Sequence, residues 1–268
     1  MNKQFTRSLQ PTSYEIETNN YIDDKIPEKD LQKQIVTNRY IFLYYISKGT
    51  FSESWVVYDI NTFSYRNAKI YYNHHNNFSA FYNEKKIITI INHKNNDHLL
   101  VLFDIIEEDN RKMIITELLG LSLFDIINNI NENEIDIYEF NIKYMFRQIL
   151  RGIRELHDYN IIHCDIKPDN ILTTIMPSYI ENLISQIDKL DLQTVYNEFL
   201  VHLTPANFED FNKSKKKNIK KKIKNKACSA IRDYIFTKIV FTNEDKDIYN
   251  VDFITSNSYT IKIIDFTN

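Results

Sequence analysis

The chain has 268 residues, of which 43% are hydrophobic and 26% are charged, and its formal net charge is -3. This length is enough for one large domain or two lobes with a packed core. The near balance of charges excludes a global field that would attract nucleic acid or membrane. The sequence has two cysteines and neither a long apolar run nor a signal segment. We therefore expect an intracellular protein without a membrane span or a disulfide framework.

The first half of the chain predicts a small lobe rich in strands. Residues 1–37 are polar and mixed, and we interpret them as an extension with little core of its own. Short runs of β-branched and aromatic residues then predict strands at 39–46, 55–60, 67–72, 99–106 and 112–119. Between the third and fourth of these runs, segment 79–91 has apolar residues at helical spacing and predicts a helix.

From residue 120 onward the pattern becomes helical. Segment 122–130 predicts a short amphipathic helix, and segment 138–157 predicts a long one. The apolar stripe of the long helix is formed by Ile142, Phe146, Ile149, Leu150, Ile153 and Leu156. Two further helices are expected within 177–202, and a strand at 234–241. The C-terminal segment YTIKIIDFTN ends the sequence at residue 268.

Between those last elements lies a basic run, residues 213–226, with nine lysines and no acidic residue. We interpret it as a solvated, disordered linker, because charge runs are usually solvated. A nuclear-localisation or nucleic-acid-binding patch is the alternative. The run lacks interleaved aromatic residues, which weakens the case for binding single strands.

The most specific motif is HCDIKPDN, from His163 to Asn170, which follows the long predicted helix and has apolar flanks. Its residues suit phosphoryl transfer, which depends on positioning and charge neutralisation. Asp165 would orient an attacking hydroxyl, Lys167 would reach the transferred phosphate, and Asn170 would offer an amide oxygen to Mg²⁺. The motif resembles the catalytic loop of serine/threonine protein kinases. A surface loop with coincidental charges is the alternative, but it would not explain the apolar flanks.

The resemblance implies ATP and Mg²⁺ and assigns further positions. Lys69, in NAKIYY, resembles the strand lysine that holds the nucleotide phosphates, and Glu84 lies 15 residues later in the predicted helix as its ion-pair partner. Asp265, in KIIDFTN, resembles the metal-binding aspartate of the DFG motif, with Thr267 in place of the glycine.

Two more segments would contact the nucleotide. Only one of the usual three glycines, Gly49, is present in the loop between the first two strands. The loop residues assigned to nucleotide binding are Ser47, Lys48, Gly49, Thr50, Phe51 and Ser52. The segment TELLG resembles a kinase hinge, in which Glu117 and Leu119 would present backbone groups to adenine and Thr116 would be a small gatekeeper.

Among kinases, the sequence is most similar to the SR-protein kinases. The residues that carry this similarity are NRY (38–40), GTFSESW (49–55), ELLG (117–120), IIHCDIKPDNIL (161–172) and SYIENL (178–183). A long insertion with a lysine-rich stretch between Asn170 and Asp265 adds to it. The similarity implies a serine/threonine substrate in a protein, perhaps an arginine/serine-rich one. The abundance of Ile and Asn suggests a protist or a large DNA virus as the source.

We therefore predict an α+β, protein-kinase-like fold. Its parts would be an extension (1–37), a β-rich N-lobe (38–118), a hinge and the start of an incomplete, mainly helical C-lobe (119–172), a lysine-rich spacer (173–258) and a DFG-like strand (259–268). The sequence stops soon after the DFG-like motif, so we expect a truncated or split kinase that needs a second chain or a further C-terminal portion.

Departures from the kinase pattern leave a second function open. Cys164 replaces the usual arginine before the catalytic aspartate, the glycine loop is eroded, and Thr267 alters the DFG motif. A catalytically weak pseudokinase or ATP-binding scaffold is therefore the alternative to an active kinase. Without the arginine, a phosphate on an activation segment would lack one main anchor.

Overall fold

A computed structural model describes residues 31–73, 78–92, 96–108, 111–132, 139–241 and 259–266. These residues belong to one compact unit, which spans Leu31–Asn268. Most of the predicted extension, together with Thr267 and the end of the predicted spacer, lies outside the described residues. No helix in the described part of the chain is both long and apolar enough to cross a membrane.

The N-lobe is built on a six-stranded antiparallel sheet with the strand order β1-β2-β3-β4-β6-β5. Its strands are β1 (Ile35–Val36), β2 (Tyr40–Lys48), β3 (Ser52–Asp59), β4 (Ser64–Tyr71), β5 (Leu102–Glu108) and β6 (Arg111–Glu117). All five longer strands were predicted from their β-branched and aromatic residues, within a few residues at each end. Strand β4 is central, and its register places Lys69 beside Ser54 of β3 and Ile114 of β6.

The start of the lobe lies earlier than expected. Strand β1 pairs with β2, and Leu31 and Val36 are almost fully buried in the core of the sheet. Residues 31–37, which we assigned to the extension, therefore contribute to the sheet and its core.

Six α-helices complete the described part of the chain. They are α1 (Ser79–Ile91), α2 (Leu123–Glu132), α3 (Glu139–His157), α4 (Ser178–Asp188), α5 (Leu192–Leu203) and α6 (Lys213–Lys238). Helix α1 has the bounds that its spacing predicted and buries Phe81, Ile88 and Ile91. Strands β7 (Ile171–Thr173) and β8 (Ile261–Ile263) form a separate antiparallel pair that follows the catalytic motif and precedes Asp265.

The lysine-rich run is not a disordered linker, and this expectation is wrong. It forms the first half of α6, a 26-residue helix capped by Asn212, whose side chain accepts a hydrogen bond from the Lys215 N–H. The strand expected at 234–241 is also wrong, because α6 continues to Lys238 and buries Ile231 and Ile235 on one face.

The insertion helices share a hydrophobic core with the sheet. Strands β2 and β3 contribute Ile41, Leu43, Val56 and Tyr58 to this core. The helices α4, α5 and α6 contribute Ile180, Leu183, Ile187, Leu192, Tyr196, Ala227, Cys228, Ile231 and Ile235. The described part of the insertion is therefore an integral layer of the N-lobe.

Helix α3 has two different apolar faces. One face, with Met145, Ile149 and Leu156, is buried, and α3 packs against β8. The other, with Ile142, Phe146 and Leu150, is exposed at 43%, 60% and 63%. The single stripe expected for this helix is therefore only partly buried within the described residues.

Gly120 lies close to the backbone at the start of the insertion. A Cβ built on it would lie 1.7 Å from the carbonyl oxygen of Ile175, far inside van der Waals contact. Its N–H donates to Thr173, and the Leu121 N–H donates to Ile175. The hinge segment is therefore held directly against the first residues of the insertion.

Candidate active site

The predicted lysine–glutamate pair is formed between strand β4 and helix α1. Lys69 Nζ lies 2.6 Å from Glu84 Oε2 and 3.0 Å from Asp265 Oδ1. Glu84 is fully buried, and it lies on the buried face of α1. Lys69 thus joins three separate elements of the chain: β4, α1 and the segment after β8.

The charge state of Lys69 follows from these contacts. Burial opposes the ammonium form, but the carboxylates of Glu84 and Asp265 outweigh it and raise the pKa of Lys69 above its usual value. Because the pKa of Lys69 is higher in the folded than in the unfolded state, its charged form stabilises the fold fully at any pH below the unfolded-state pKa. This stabilisation is lost only when the pH rises through the folded-state pKa. Lys69 is therefore a permanent cation at neutral pH.

The catalytic motif forms a loop in which three predicted side chains meet. Asn170 Nδ2 donates to Asp165 Oδ2 (2.9 Å) and to the Asp165 carbonyl oxygen (3.0 Å). Lys167 Nζ lies 2.8 Å from the same Asp165 Oδ2. Because both donor contacts of Asn170 go to Asp165, its amide oxygen is the atom left to face a metal ion.

The electrostatics of this loop keep Asp165 ionised. The hydrogen bond from Lys167 lowers the pKa of Asp165 below its usual value, with a smaller contribution from Asn170. The same contact raises the pKa of Lys167. An ionised carboxylate of lowered basicity is suited to orient a hydroxyl by accepting its hydrogen bond.

His163 links the catalytic loop to the DFG-like segment. The Asp165 N–H donates to His163 Nδ1 at 3.3 Å, so the ring proton resides on Nε2, which donates to the Ile264 carbonyl oxygen at 2.8 Å. The ring also meets Phe266 edge-on, with centroids 5.5 Å apart. His163 and Phe266 are both buried, so the two segments are fixed relative to each other.

Two residues in these segments have strained backbones. Cys164 and Asp265 both have a φ of 65°, in the left-handed region that non-glycine residues rarely adopt. Such conformations persist where the surrounding contacts enforce them, and they are concentrated at functional sites. The strain at Asp265 accompanies its contact with Lys69, and the strain at Cys164 immediately precedes Asp165.

The predicted glycine loop is the turn between β2 and β3. Residues 47–51 are exposed, whereas Ser52 at the start of β3 is buried. The Gly49 N–H donates to the Ser52 carbonyl oxygen at 2.7 Å, which closes the turn. One of the two strands that the turn joins, β3, is therefore also the strand that pairs with β4 beside Lys69.

Of the hinge candidates, Thr116 and Glu117 are the last two residues of β6, and Leu119 follows them toward α2. Thr116 is buried, and its hydroxyl accepts from Asn67 and donates to the Glu117 carbonyl oxygen, both at 3.2 Å. The Glu117 carboxylate pairs with Lys262 of β8 at 2.8 Å, and Leu119 is packed against the cluster that contains Phe266. These contacts tie the hinge to β4 and β8.

Comparison with known families identifies the family to which this arrangement belongs. The family model of the protein kinase domain matches residues 40–181, which is just over half of the chain. The chain belongs to the protein kinase family. The match covers strands β2 to β7, helices α1 to α3, the hinge and the catalytic loop, and it ends inside α4.

Individual relatives of this kinase domain are similar over shorter stretches. Serine/threonine-protein kinase PSK1 of Saccharomyces cerevisiae is 37% identical over 79 residues, which are 28% of this chain and 6% of that protein. Serine/threonine-protein kinase ppk5 of Schizosaccharomyces pombe is 44% identical over 59 residues, which are 22% of this chain and 7% of that protein. The matched stretches are thus less than a tenth of each relative's length.

A solved structure of a kinase domain also aligns with this one. Its TM-score is 0.47 at 23% identity, and the alignment covers 53% of this chain and 41% of the other.

Tyr71 of this kinase domain was not predicted as a site residue. Its hydroxyl donates to Glu84 Oε2, the oxygen that also contacts Lys69. Burial, followed by the charge of Glu84, raises the pKa of Tyr71 well above its usual value. The one available signal was its place two residues after Lys69, on the same face of β4.

We expect Tyr71→Phe to destabilise the fold by about 1.5–3 kcal/mol, because it removes a buried hydrogen bond to a charged carboxylate. Tyr82→Phe on the same helix as Glu84 is the matched control, since Tyr82 is 49% exposed, and its effect should stay within about 0.5 kcal/mol. Urea unfolding of both variants measures the difference. Equal losses would show that the Tyr71 hydroxyl does not support Glu84.

Proposed function

We propose that this chain carries the catalytic site of a serine/threonine protein kinase that transfers the γ-phosphate of Mg-ATP to a protein hydroxyl. The proposal rests on two sets of contacts. Lys69 lies within 3.0 Å of both Glu84 and Asp265. In the catalytic loop, Asn170 and Lys167 both contact Asp165. Phosphoryl transfer needs this set: a cation on the phosphates, oxygen donors for a metal and a carboxylate for the nucleophile.

The donor set fits the implied cofactors. Mg²⁺ prefers hard oxygen ligands and usually retains water and substrate phosphate oxygens, so one carboxylate and one amide oxygen are an adequate protein contribution. Asp265 and Asn170 supply these two groups. Mg-ATP supplies the phosphoryl group when bound, and Lys69 would hold its phosphates while the turn at 47–52 covers them.

Each remaining side chain has a defined part in this proposal. Asp165 would accept the hydrogen bond of the substrate hydroxyl and fix its oxygen in line for attack. Lys167, which contacts Asp165 and is 48% exposed, would balance charge on the transferred group. Glu84 and Tyr71 would act through Lys69 by holding it in place.

The substrate and its presentation are part of the proposal. The similarity to SR-protein kinases in GTFSESW and IIHCDIKPDNIL, and the helical insertion after β7, support an arginine/serine-rich protein substrate.

Both cysteines are free, which suits a reducing compartment.

We also propose that a further segment or a second chain covers the exposed face of α3. Phe146 and Leu150 on this face, and Ile162 before the catalytic loop, are all at least 60% exposed. Burying each would contribute about 1.5–3 kcal/mol. This portion would complete the platform for the protein substrate.

A nucleotide-binding scaffold without transfer is the second candidate. The single glycine in the turn at 47–52 favours it, because side chains there limit how closely the backbone approaches phosphate.

Transfer of ³²P from the γ-position of ATP onto a serine-containing arginine/serine-rich peptide separates the two candidates. The kinase proposal predicts transfer that requires Mg²⁺, stops with EDTA and yields phosphoserine or phosphothreonine. Nucleotide binding without transfer, in the presence of the completing segment, would favour the scaffold instead.

A further inference from the structure

Helix α6 changes character along its length. In its second half, Ala227, Cys228, Ile231 and Ile235 are buried against the sheet and α4–α5. In its first half, most side chains are exposed lysines, and Lys216, Ile219 and Ile223 are the residues that are partly or fully buried between 213 and 223. The first half is therefore a formed helix that the rest of the described chain contacts on one side only.

The charge of this first half is segregated from the rest of the protein. The run contains nine lysines, whereas the whole chain has a net charge of -3, so all other residues sum to -12. No acidic residue occurs from Lys213 to Arg232. Within the described residues, one carboxylate forms an ion pair with the run, through the contact of Glu209 with Lys216.

The helical geometry spreads the lysines over most of the free surface. At about 100° per residue, Lys213, Lys217 and Lys224 lie along one side of α6. Lys215, Lys222 and Lys226 lie on the opposite side by the same rule. The run from 213 to 226 is roughly 20 Å long. Two rows of cations on opposite sides of a rod match a partner with two rows of anions.

The composition of the run limits which class of partner it can bind. A membrane-surface helix presents a broad apolar face, but the two isoleucines of the run lie on its packed side. A single-strand binder stacks bases on aromatic side chains, and the run contains none. Duplex DNA carries one negative charge per about 1.7 Å, on two backbones that flank a major groove about 12 Å wide. A helix is about 10–12 Å across and fits this groove, whereas the major groove of duplex RNA is too narrow.

We propose that the first half of α6 is a binding site for duplex DNA, which it contacts through the phosphate backbones without base recognition. This site does not depend on the proposed kinase activity, because it lies on the insertion and uses none of the catalytic residues. It would hold the kinase domain near DNA-associated protein substrates.

Fluorescence anisotropy of a labelled 24-base-pair duplex tests the site with the full chain at several salt concentrations. We expect the logarithm of the binding constant to fall with the logarithm of salt with a slope of about -5, for about six phosphate contacts. The triple variant Lys217→Gln, Lys221→Gln, Lys222→Gln should reduce the slope by about 2.7 and weaken binding at least about tenfold at 100 mM salt.

The matched control is Lys86→Gln, Lys189→Gln, Lys238→Gln, which removes the same charge from exposed lysines outside the run. Glutamine and lysine have similar helix propensities, and circular dichroism checks that both variants remain folded. The control should bind DNA within about twofold of wild type, since it keeps every phosphate contact. Equal losses in the two triples would overturn the proposal. Tighter binding to duplex RNA, single strands, a poly-glutamate peptide or phosphatidylserine vesicles than to duplex DNA would also overturn it.

Discussion

Replacing Asp165 by asparagine should lower the rate of phosphate transfer by about 10²–10⁴-fold and leave nucleotide affinity nearly unchanged. Asparagine keeps the size of the side chain and one oxygen that can accept from Asn170 or Lys167. It loses the negative charge that would orient and polarise the attacking hydroxyl. The loss should therefore appear in kcat, because the nucleotide is bound mainly by other residues.

Asp169→Asn provides the matched control for this experiment. Asp169 lies in the same loop and is exposed, so its replacement should change kcat by less than about twofold. Steady-state transfer to a peptide and fluorescence titration with a nucleotide analogue give the two readouts. If Asp165→Asn retained wild-type kcat, Asp165 would not be the residue that positions the hydroxyl.

Replacing Lys69 by methionine should have a large effect on stability as well as on transfer. The variant keeps the aliphatic stem but leaves the fully buried Glu84 carboxylate without its cation. Breaking a buried ion pair in this way destabilises by about 3–5 kcal/mol. A domain of this size is stable by only about 5–15 kcal/mol. We therefore expect a strong shift of the urea midpoint together with loss of phosphate transfer.

Two further variants show whether the buried charge is the cause. Lys85→Met removes an exposed pair with Glu107 and should cost less than about 1 kcal/mol. In the double variant Lys69→Met, Glu84→Gln, no uncompensated carboxylate remains in α1, so much of the stability should return while transfer stays absent. A double variant as unstable as Lys69→Met alone would show that packing, rather than charge, explains the loss.

The elements with strong local patterns could be predicted from sequence. Helix α1 and the strands around it have clear periodicity, and the motif from His163 to Asn170 identified Asp165, Lys167 and Asn170, which the fold brings into mutual contact. The Lys69–Glu84 pair was predictable as well, because a strand lysine and a helix glutamate were interpreted together. In these cases local propensity and tertiary packing favour the same structure.

The insertion was harder to predict, for physical reasons. A lysine run is compatible with a solvated, unstructured chain, but lysine is also a good helix former. The run alone therefore does not distinguish a helix from a linker. Residues 234–241 are short and rich in aromatic and β-branched residues, and such runs are ambiguous between strand and buried helix. The second half of α6 is helical because Ile231 and Ile235 are buried against elements that are distant in sequence. A short stretch of sequence does not contain this information.

Because α4, α5 and α6 share their core with β2 and β3, the insertion cannot be excised as an ornamental loop. Joining β7 directly to β8 would strip the cover from Ile41, Leu43, Val56 and Tyr58, each of which contributes about 1.5–3 kcal/mol when buried. The segment between β7 and α4 also meets the hinge, where Gly120 lies against the Ile175 carbonyl, and Leu118 of the hinge packs against the core that the helices form. The insertion therefore braces the N-lobe. If the N-lobe rotates about the hinge, these three helices must move with the sheet as one body.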